Sequence, residues 1–228
     1  MDITNPLSEE AFADLILDRA KAAQVELTEA QAALLSRHVQ IMLEWNTRFN
    51  LTRITAPEEV VVKHILDSIA PAKYLPSAGK ALDVGAGAGF PGIPLTIVKR
   101  DLSMVLLESS GKKVTFLTAA AAALGLEQIT PLHGSWQDFR QKKENRNKFE
   151  LIVMRALRAE PEHISRMASW LLAPGGFFAR WEVLDPQGGK DLGVKEVKGP
   201  IDMEFHGDFG YSLPGVTRGR AVRIWKKK

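Results

Sequence analysis

The 228-residue chain has no cysteine, which excludes disulfides and thiolate chemistry and suits the cytosol, the expected location. Its five histidines, His38, His64, His133, His163 and His206, show no ligand spacing with nearby acids, so no metal is expected. No apolar run approaches the ~20 residues that a membrane span requires. The longest, around Thr118 to Leu126, is alanine-rich and reads as a buried helix. The opening MDITNPLSEE has neither a basic nor an apolar segment, so no signal peptide is expected. Repeats and low-complexity tracts are missing too. So is a strong charge imbalance: 30 basic residues face 27 acidic ones, and the net charge of +3 permits a nucleic-acid partner without requiring one. No nucleophile–base pair stands out.

What is present divides at about residue 75. Before it, helical spacing dominates. Ser8 is placed to cap a helix running through Lys21, and Thr28–Gln31 (TEAQ) has capping-box spacing ahead of Leu34, Leu35, His38, Ile41, Met42 and Trp45. Thr55–Glu58 (TAPE) has the same spacing and opens a third predicted helix through Ile69. Pro71 to Gly79 reads as a hinge. Beyond it strands alternate with helices: strands at Lys80–Val84, Ser103–Glu108, Ile129–His133, Phe149–Arg155 and Phe177–Val183, with helices between them. That rhythm predicts an α/β fold with a mostly parallel, doubly wound sheet. The last strands, Ile201–His206 and Ala221–Trp225, are joined without a clear helix and predict an antiparallel edge. The expected organisation is an N-terminal helical cap over 1–75 and a ligand-binding α/β domain over 76–228, forming one unit, with a monomer as the default.

The run Leu82–Pro94, LDVGAGAGFPGIP, follows the first predicted strand, where open parallel sheets bind ligands. A phosphate-binding P-loop would need a lysine that is absent here, and a dinucleotide fingerprint would need glycine where Phe90 stands. The spacing Asp83-x-Gly85-x-Gly87-x-Gly89 suits close backbone approach to a nucleoside without phosphates, and S-adenosylmethionine is the commonest such ligand on this architecture. Glu108, at the tip of the second predicted strand, is placed to accept hydrogen bonds from ribose hydroxyls; a nicotinamide site would use the same acid.

These blocks carry a resemblance. LDVGAGAGFPGIPLTIV and LLESSGKKVTFL, with WNTRFNLTRI and KHILDSI upstream and FELIVMRAL and LLAPGGFF downstream, resemble the bacterial RsmG (GidB) methyltransferases over about Leu34 to Lys228. Those enzymes methylate N7 of a guanine in 16S ribosomal RNA. The resemblance implies a Rossmann-like class I methyltransferase fold, S-adenosyl-L-methionine as cofactor, and 16S rRNA or the 30S subunit as partner, with no membrane involved. It also implies cofactor contacts at Gly85, Gly87, Gly89 and Phe90, at Trp136 and Gln137, and at Arg155. The chain departs from the family pattern at Glu150 and Met154, and a Lys-Gly pair after the Pro174-Gly-Gly turn is missing.

Methylation of guanine N7 needs little acid–base chemistry, because that nitrogen has a free lone pair at neutral pH. Alignment and desolvation are the main demands. The candidate catalytic residues are Arg155, Asn50, His64 and Asp67; Thr52 and Ser68 lie beside them in sequence. His64, Asp67 and Ser68 fall on one helical face. Two basic stretches, Arg140–Lys148 with five cations and Arg218–Lys228 with six, are candidates for phosphate contact, and Arg48, Arg53 and Lys63 add charge nearby. Three rival readings remain at this stage: a methyltransferase for a protein or small molecule, a nicotinamide-dependent oxidoreductase, and a non-enzymatic ribosome assembly protein.

Overall fold

A computed structural model describes residues 7–156, 160–184 and 202–228. Ser8 accepts a hydrogen bond from Ala11 N and caps α1 (Glu9–Ala22). The capping box at Thr28 forms, with Gln31 N donating to Thr28 Oγ1 at 3.2 Å and Thr28 N to Gln31 Oε1 at 2.9 Å, and it opens α2 (Glu29–Asn46). The box expected at Thr55 does not form. Ala56 is the cap, without a side-chain bond, and Pro57 occupies the first helical position, where its missing N–H costs nothing. α3 (Pro57–Val60) then runs into a π-helical segment, Val61–Leu66, and out through α4 (Asp67–Ile69). Such a widened turn is frequent at functional sites, and this one carries His64.

The remaining elements alternate: β1 (Ala78–Val84), α5 (Gly92–Val98), β2 (Asp101–Glu108), α6 (Gly111–Ala123), β3 (Ile129–His133), α7 (Trp136–Gln141), β4 (Phe149–Met154), α8 (Pro161–Leu171), β5 (Leu172–Val183), β6 (Met203–Tyr211) and β7 (Arg220–Lys227). They form one seven-stranded sheet in the order β3-β2-β1-β4-β5-β7-β6. The first five strands are parallel, and β7 is antiparallel to both its neighbours. The expected antiparallel edge is therefore present, with the antiparallel strand one place in from the rim. Ile201, the predicted start of the sixth strand, lies outside the described residues.

A single apolar cluster joins Phe12, Ile16, Leu35 and Met42 of the N-terminal helices to Ile93, Leu106 and Phe116 on one side of the sheet. A second, around Leu82, Phe149, Ile152, Met167 and Leu171, fills the other side. Each fully buried side chain of this size contributes on the order of 1.5–3 kcal/mol.

The chain reverses between β3, at one edge, and β4, which lies beside β1. That switch opens a crevice beyond the carboxyl ends of β1, β2 and β4. Gly92 shapes its floor: its N–H donates to Asp83 Oδ2 at 2.9 Å, and an added Cβ would meet Asp83 Oδ2 at 2.7 Å and Leu106 Cδ2 closer still. Gly92→Ala is therefore expected to lower unfolding free energy by about 2–3 kcal/mol. A urea titration reads this directly, and a change below about 0.5 kcal/mol, the scale of an ordinary surface substitution, would mean that the turn relaxes freely.

Candidate functional site

A cleft of about 340 Å³ opens at the switch point, walled by Gly85–Ala88, Phe90, Glu108, Lys113, Thr52, His64 and Arg155. The glycine turn forms one side. Gly85 and Gly87 hold φ of 78° and 59°, which only glycine adopts freely, so backbone and not side chain faces the space. Glu108 is 7 % exposed; its Oε2 accepts from Gly87 N at 2.9 Å and its Oε1 from Ser110 N at 2.9 Å. The carboxylate thus binds the glycine turn to the start of α6. A carboxylate offers about four lone-pair sites, so acceptor capacity remains toward the cleft.

Beneath the turn lies Asp83, 1 % exposed, with Oδ1 unpartnered. Burial pushes its pKa up to about 7, against the opposing pull of the Gly92 N–H and the Arg155 charge. Asp83 is therefore only partly ionised near neutrality, and it is the Glu108 carboxylate, lining the cleft, that disfavours a pyrophosphate on this side.

An aromatic stack adjoins the turn at its end. Phe90 lies between His38 and His64, each ring 4.7 Å away, with the Arg155 guanidinium 5.6 Å from its centroid. His38 Nε2 contacts Ala88 O at 3.1 Å, as a donor, and holds the far end of the turn. Desolvation lowers the pKa of His38 to about 4; His64 drops to about 3 through desolvation and then the nearby Arg155 charge. Both rings are neutral across the physiological range.

The unfolded chain takes up protons at these rings below its ordinary pKa of 6.5, and the folded chain does so only near 4 or below. Stability is therefore complete above pH 6.5 and is lost as pH falls toward 4. His38→Gln, which can still donate to Ala88 O, is expected to remove about 2–3 kcal/mol of the stability loss between pH 7.5 and 4.5. Urea titrations at the two pH values check this; an unchanged difference would show that His38 protonates without penalty.

Arg155, just past β4, reaches across the stack. Its Nη1 donates to Asp67 Oδ2 at 3.2 Å and to Lys63 O at 3.3 Å, and its Nη2 to His64 Nδ1 at 3.3 Å. Ala156 next to it has φ of 58°, a strained value for alanine that fixes where Arg155 points. Asp67 is locked from behind as well: Tyr211 donates to Oδ1 at 2.8 Å and Trp181 Nε1 to its backbone O at 2.6 Å. It is a positioning group for Arg155 and does not line the cleft.

Of the residues singled out by sequence, Gly85, Gly87, Phe90, Glu108, His64 and Arg155 meet in one place. Others lie elsewhere. Asn50 is exposed and does not line the cleft; Asn46, whose Oδ1 accepts from Leu51 N and Thr52 N, shapes that loop. An added Cβ at Gly89 would collide with Ile93 and crowd His38, so this glycine serves packing. The Trp136 and Gln137 side chains face a neighbouring depression. Met154 is buried in the core, and Ser68 Oγ donates to His64 O inside its own helix. Lys113 was not signalled; its place one turn into the helix after the acid-tipped strand is the cue that could have found it.

The family model GidB, rRNA small subunit methyltransferase G, matches residues 10–181. The chain is 41% identical over 209 residues to the ribosomal RNA small subunit methyltransferase G 1 of Syntrophobacter fumaroxidans, covering 89% of this chain and 90% of that protein. It is 34% identical over 218 residues to a ribosomal RNA small subunit methyltransferase G of Desulforamulus reducens, covering 91% and 87%. A solved structure of Pyrococcus horikoshii TYW2, in complex with MeSAdo, superposes with a TM-score of 0.53 at 13% identity, over 72% of this chain and 63% of that one. This last likeness is one of fold.

Proposed function

The chain belongs to the GidB family of rRNA small subunit methyltransferases G, and from that premise we propose that it transfers a methyl group from S-adenosyl-L-methionine to N7 of a guanine in 16S ribosomal RNA. The observation that carries the reading is the Glu108 carboxylate at the tip of β2, bonded to Gly87 N and still open to the cleft. A diol is a natural donor pair for that acceptor. The glycine backbone accommodates the methionine portion, and the Glu108 carboxylate gives this wall the sign that a sulfonium and an ammonium need.

When bound, S-adenosyl-L-methionine supplies a methyl group on a good leaving group, and the remaining work is alignment. Guanine N7 brings its own lone pair, so no residue has to remove a proton. His64, made a weak base by its lowered pKa, and Asp67, tied to Arg155, accord with that. Phe90, 5 % exposed, keeps water out of one wall. Arg155 stands at the mouth, where permanent positive charge can meet an RNA phosphate or a cofactor carboxylate bidentately. Charge leaves sulfur and appears on the purine during transfer, and an arrangement that holds both partners in line supplies several kcal/mol of the barrier. No group of His, Asp and Glu suited to a metal occurs among the described residues, nor does a helix long and apolar enough to cross a membrane.

The test is direct. Methyl-labelled cofactor is incubated with the protein and either unmodified 30S subunits, naked 16S rRNA or total protein, and label is mapped in the rRNA. Incorporation at one guanine N7 is expected. Label confined to protein would overturn the reading.

A further inference from the structure

Outside the cleft, two depressions share one wall. The first, about 410 Å³, lies between Trp136, Arg140 and Arg166; the second, about 620 Å³, between Arg140, Lys143, Arg146 and Trp170. Arg140 and Gln141 belong to both, so the two form one groove between α7 and α8. Among the described residues no carboxylate lines either part. Glu162 approaches Arg166 at 3.5 Å, an exposed pair of little strength. Arg140, Lys143 and Arg146 make no side-chain hydrogen bond or ion pair with any described residue. Arg140 is also half-buried. A recessed cation without a partner has lost water without gaining a counter-charge, so an anion in the groove would be favoured.

The two indoles give the groove its second property. Trp136 and Trp170 both pack one side against the apolar cluster under α8. They stand as rigid platforms, one in each depression. Fixed cations beside aromatic platforms are the recognition chemistry of single-stranded nucleic acid: phosphates meet the cations and unpaired bases stack. A duplex keeps its bases out of reach of such recesses.

Position adds direction. Trp136 follows β3 by three residues, and β3 ends with His133 in register with Glu108, so this end of the groove abuts the rim where the cleft opens. The far end is tied to the start of β4, where Asn147 N donates to Trp170 O. The groove therefore runs down the length of β4, roughly 20 Å. The other basic stretch is half engaged: Arg223 binds Asp208, Lys227 donates to Asn147 Oδ1 and Leu172 O, and Arg220 faces Asp67, which leaves Arg218, Lys226 and Lys228 exposed on the far edge of the sheet.

We propose that this α7–α8 groove is the docking track for a single-stranded segment of the substrate RNA leading to the methylated base. This rests on the functional reading above, and the experiment separates the two. The full-length variant R140Q/K143Q/R146Q/R166Q is compared with wild type and with K21Q/R37Q/K80Q/R100Q, which removes four exposed cations elsewhere. Calorimetry with S-adenosylhomocysteine verifies that each cofactor site is intact. Methyl transfer and binding are then measured on naked 16S rRNA and on 30S subunits across salt concentrations.

The groove variant is expected to bind S-adenosylhomocysteine as wild type does. Its KM for RNA should rise at least about 10-fold with kcat within about twofold, and its salt dependence, log K against log salt, should be shallower by about 2 to 3, against about 0.7 per phosphate contact. The control should keep the wild-type slope. If wild type methylates rRNA and the groove variant keeps wild-type KM and slope, the groove is not the track. If the defect appears with 30S subunits while affinity for naked RNA is unchanged, the groove meets a ribosomal protein and the proposal falls. If wild-type protein does not methylate rRNA at all, it is the functional reading that fails.

Discussion

Glu108→Ala is expected to weaken S-adenosylhomocysteine binding by at least about 100-fold. Hydrogen bonds to a charged group contribute about 1.5–3 kcal/mol each, and two ribose hydroxyls on one carboxylate give about 3 kcal/mol, or roughly two decades of affinity. The substitution also frees Gly87 N and Ser110 N, which Glu108 now satisfies at 2.9 Å each. Glu108→Gln separates these contributions. An amide keeps one acceptor oxygen and adds donors, so one of the two N–H groups would face a donor. Glutamine should therefore bind S-adenosylhomocysteine better than alanine does but still at least about tenfold more weakly than wild type. Calorimetry at fixed ionic strength measures all three proteins. Wild-type affinity in Glu108→Ala would show that the ribose lies elsewhere and would remove the observation on which the cofactor's placement rests.

The site was legible in sequence where its logic is local. Asp83-x-Gly85-x-Gly87 and the acid ending the second strand are features of single turns and strand tips, and both are where their spacing placed them. The same holds for the Thr28 capping box and for the mostly parallel sheet with its antiparallel edge, though not for the order of its strands. Contacts between distant segments were not legible. Nothing in the spacing of His38, His64 and Phe90 announces a stack, because it depends on how α2 and the π-helical segment pack on the turn. A 3.6-residue pattern also cannot reveal a widened turn at Val61–Leu66. Charge runs were legible only in part: Arg218–Lys228 offered six cations for phosphate contact, yet β7 carries Arg220, Arg223 and Lys227 of them against Asp67, Asp208 and Leu172 O. In Arg140–Lys148, a short helix and a 3₁₀ turn leave Arg140, Lys143 and Arg146 without a side-chain bond to any described residue, whereas Lys148 donates to Asn145 Oδ1.

Arg155→Lys is expected to lower kcat/KM for methyl transfer by about 100-fold, close to 2.7 kcal/mol of transition-state stabilisation. The reason is geometric. One guanidinium spans Asp67 Oδ2, Lys63 O and His64 Nδ1, and an ammonium presents its donors from a single point. A guanidinium has only hydrogens to offer, so His64 Nδ1 accepts and the ring proton sits on Nε2. That proton is directed at Thr52 Oγ1, 2.9 Å away, which also accepts from Ile54 N at 3.1 Å. With both lone pairs used, the Thr52 hydroxyl hydrogen is left to point into the cleft that Thr52 lines, where an acceptor such as purine O6 could take it. Lysine breaks this relay at its first member while leaving a positive charge beside Asp67. Arg155→Ala is less informative, since it strips a buried carboxylate of its nearest cation and costs stability on the order of 3 kcal/mol. The lysine variant should unfold within a few degrees of wild type, so its lost rate can be assigned to the site. Wild-type rates in Arg155→Lys would mean that charge alone suffices at the mouth, and that the His64–Thr52 relay does not position the base.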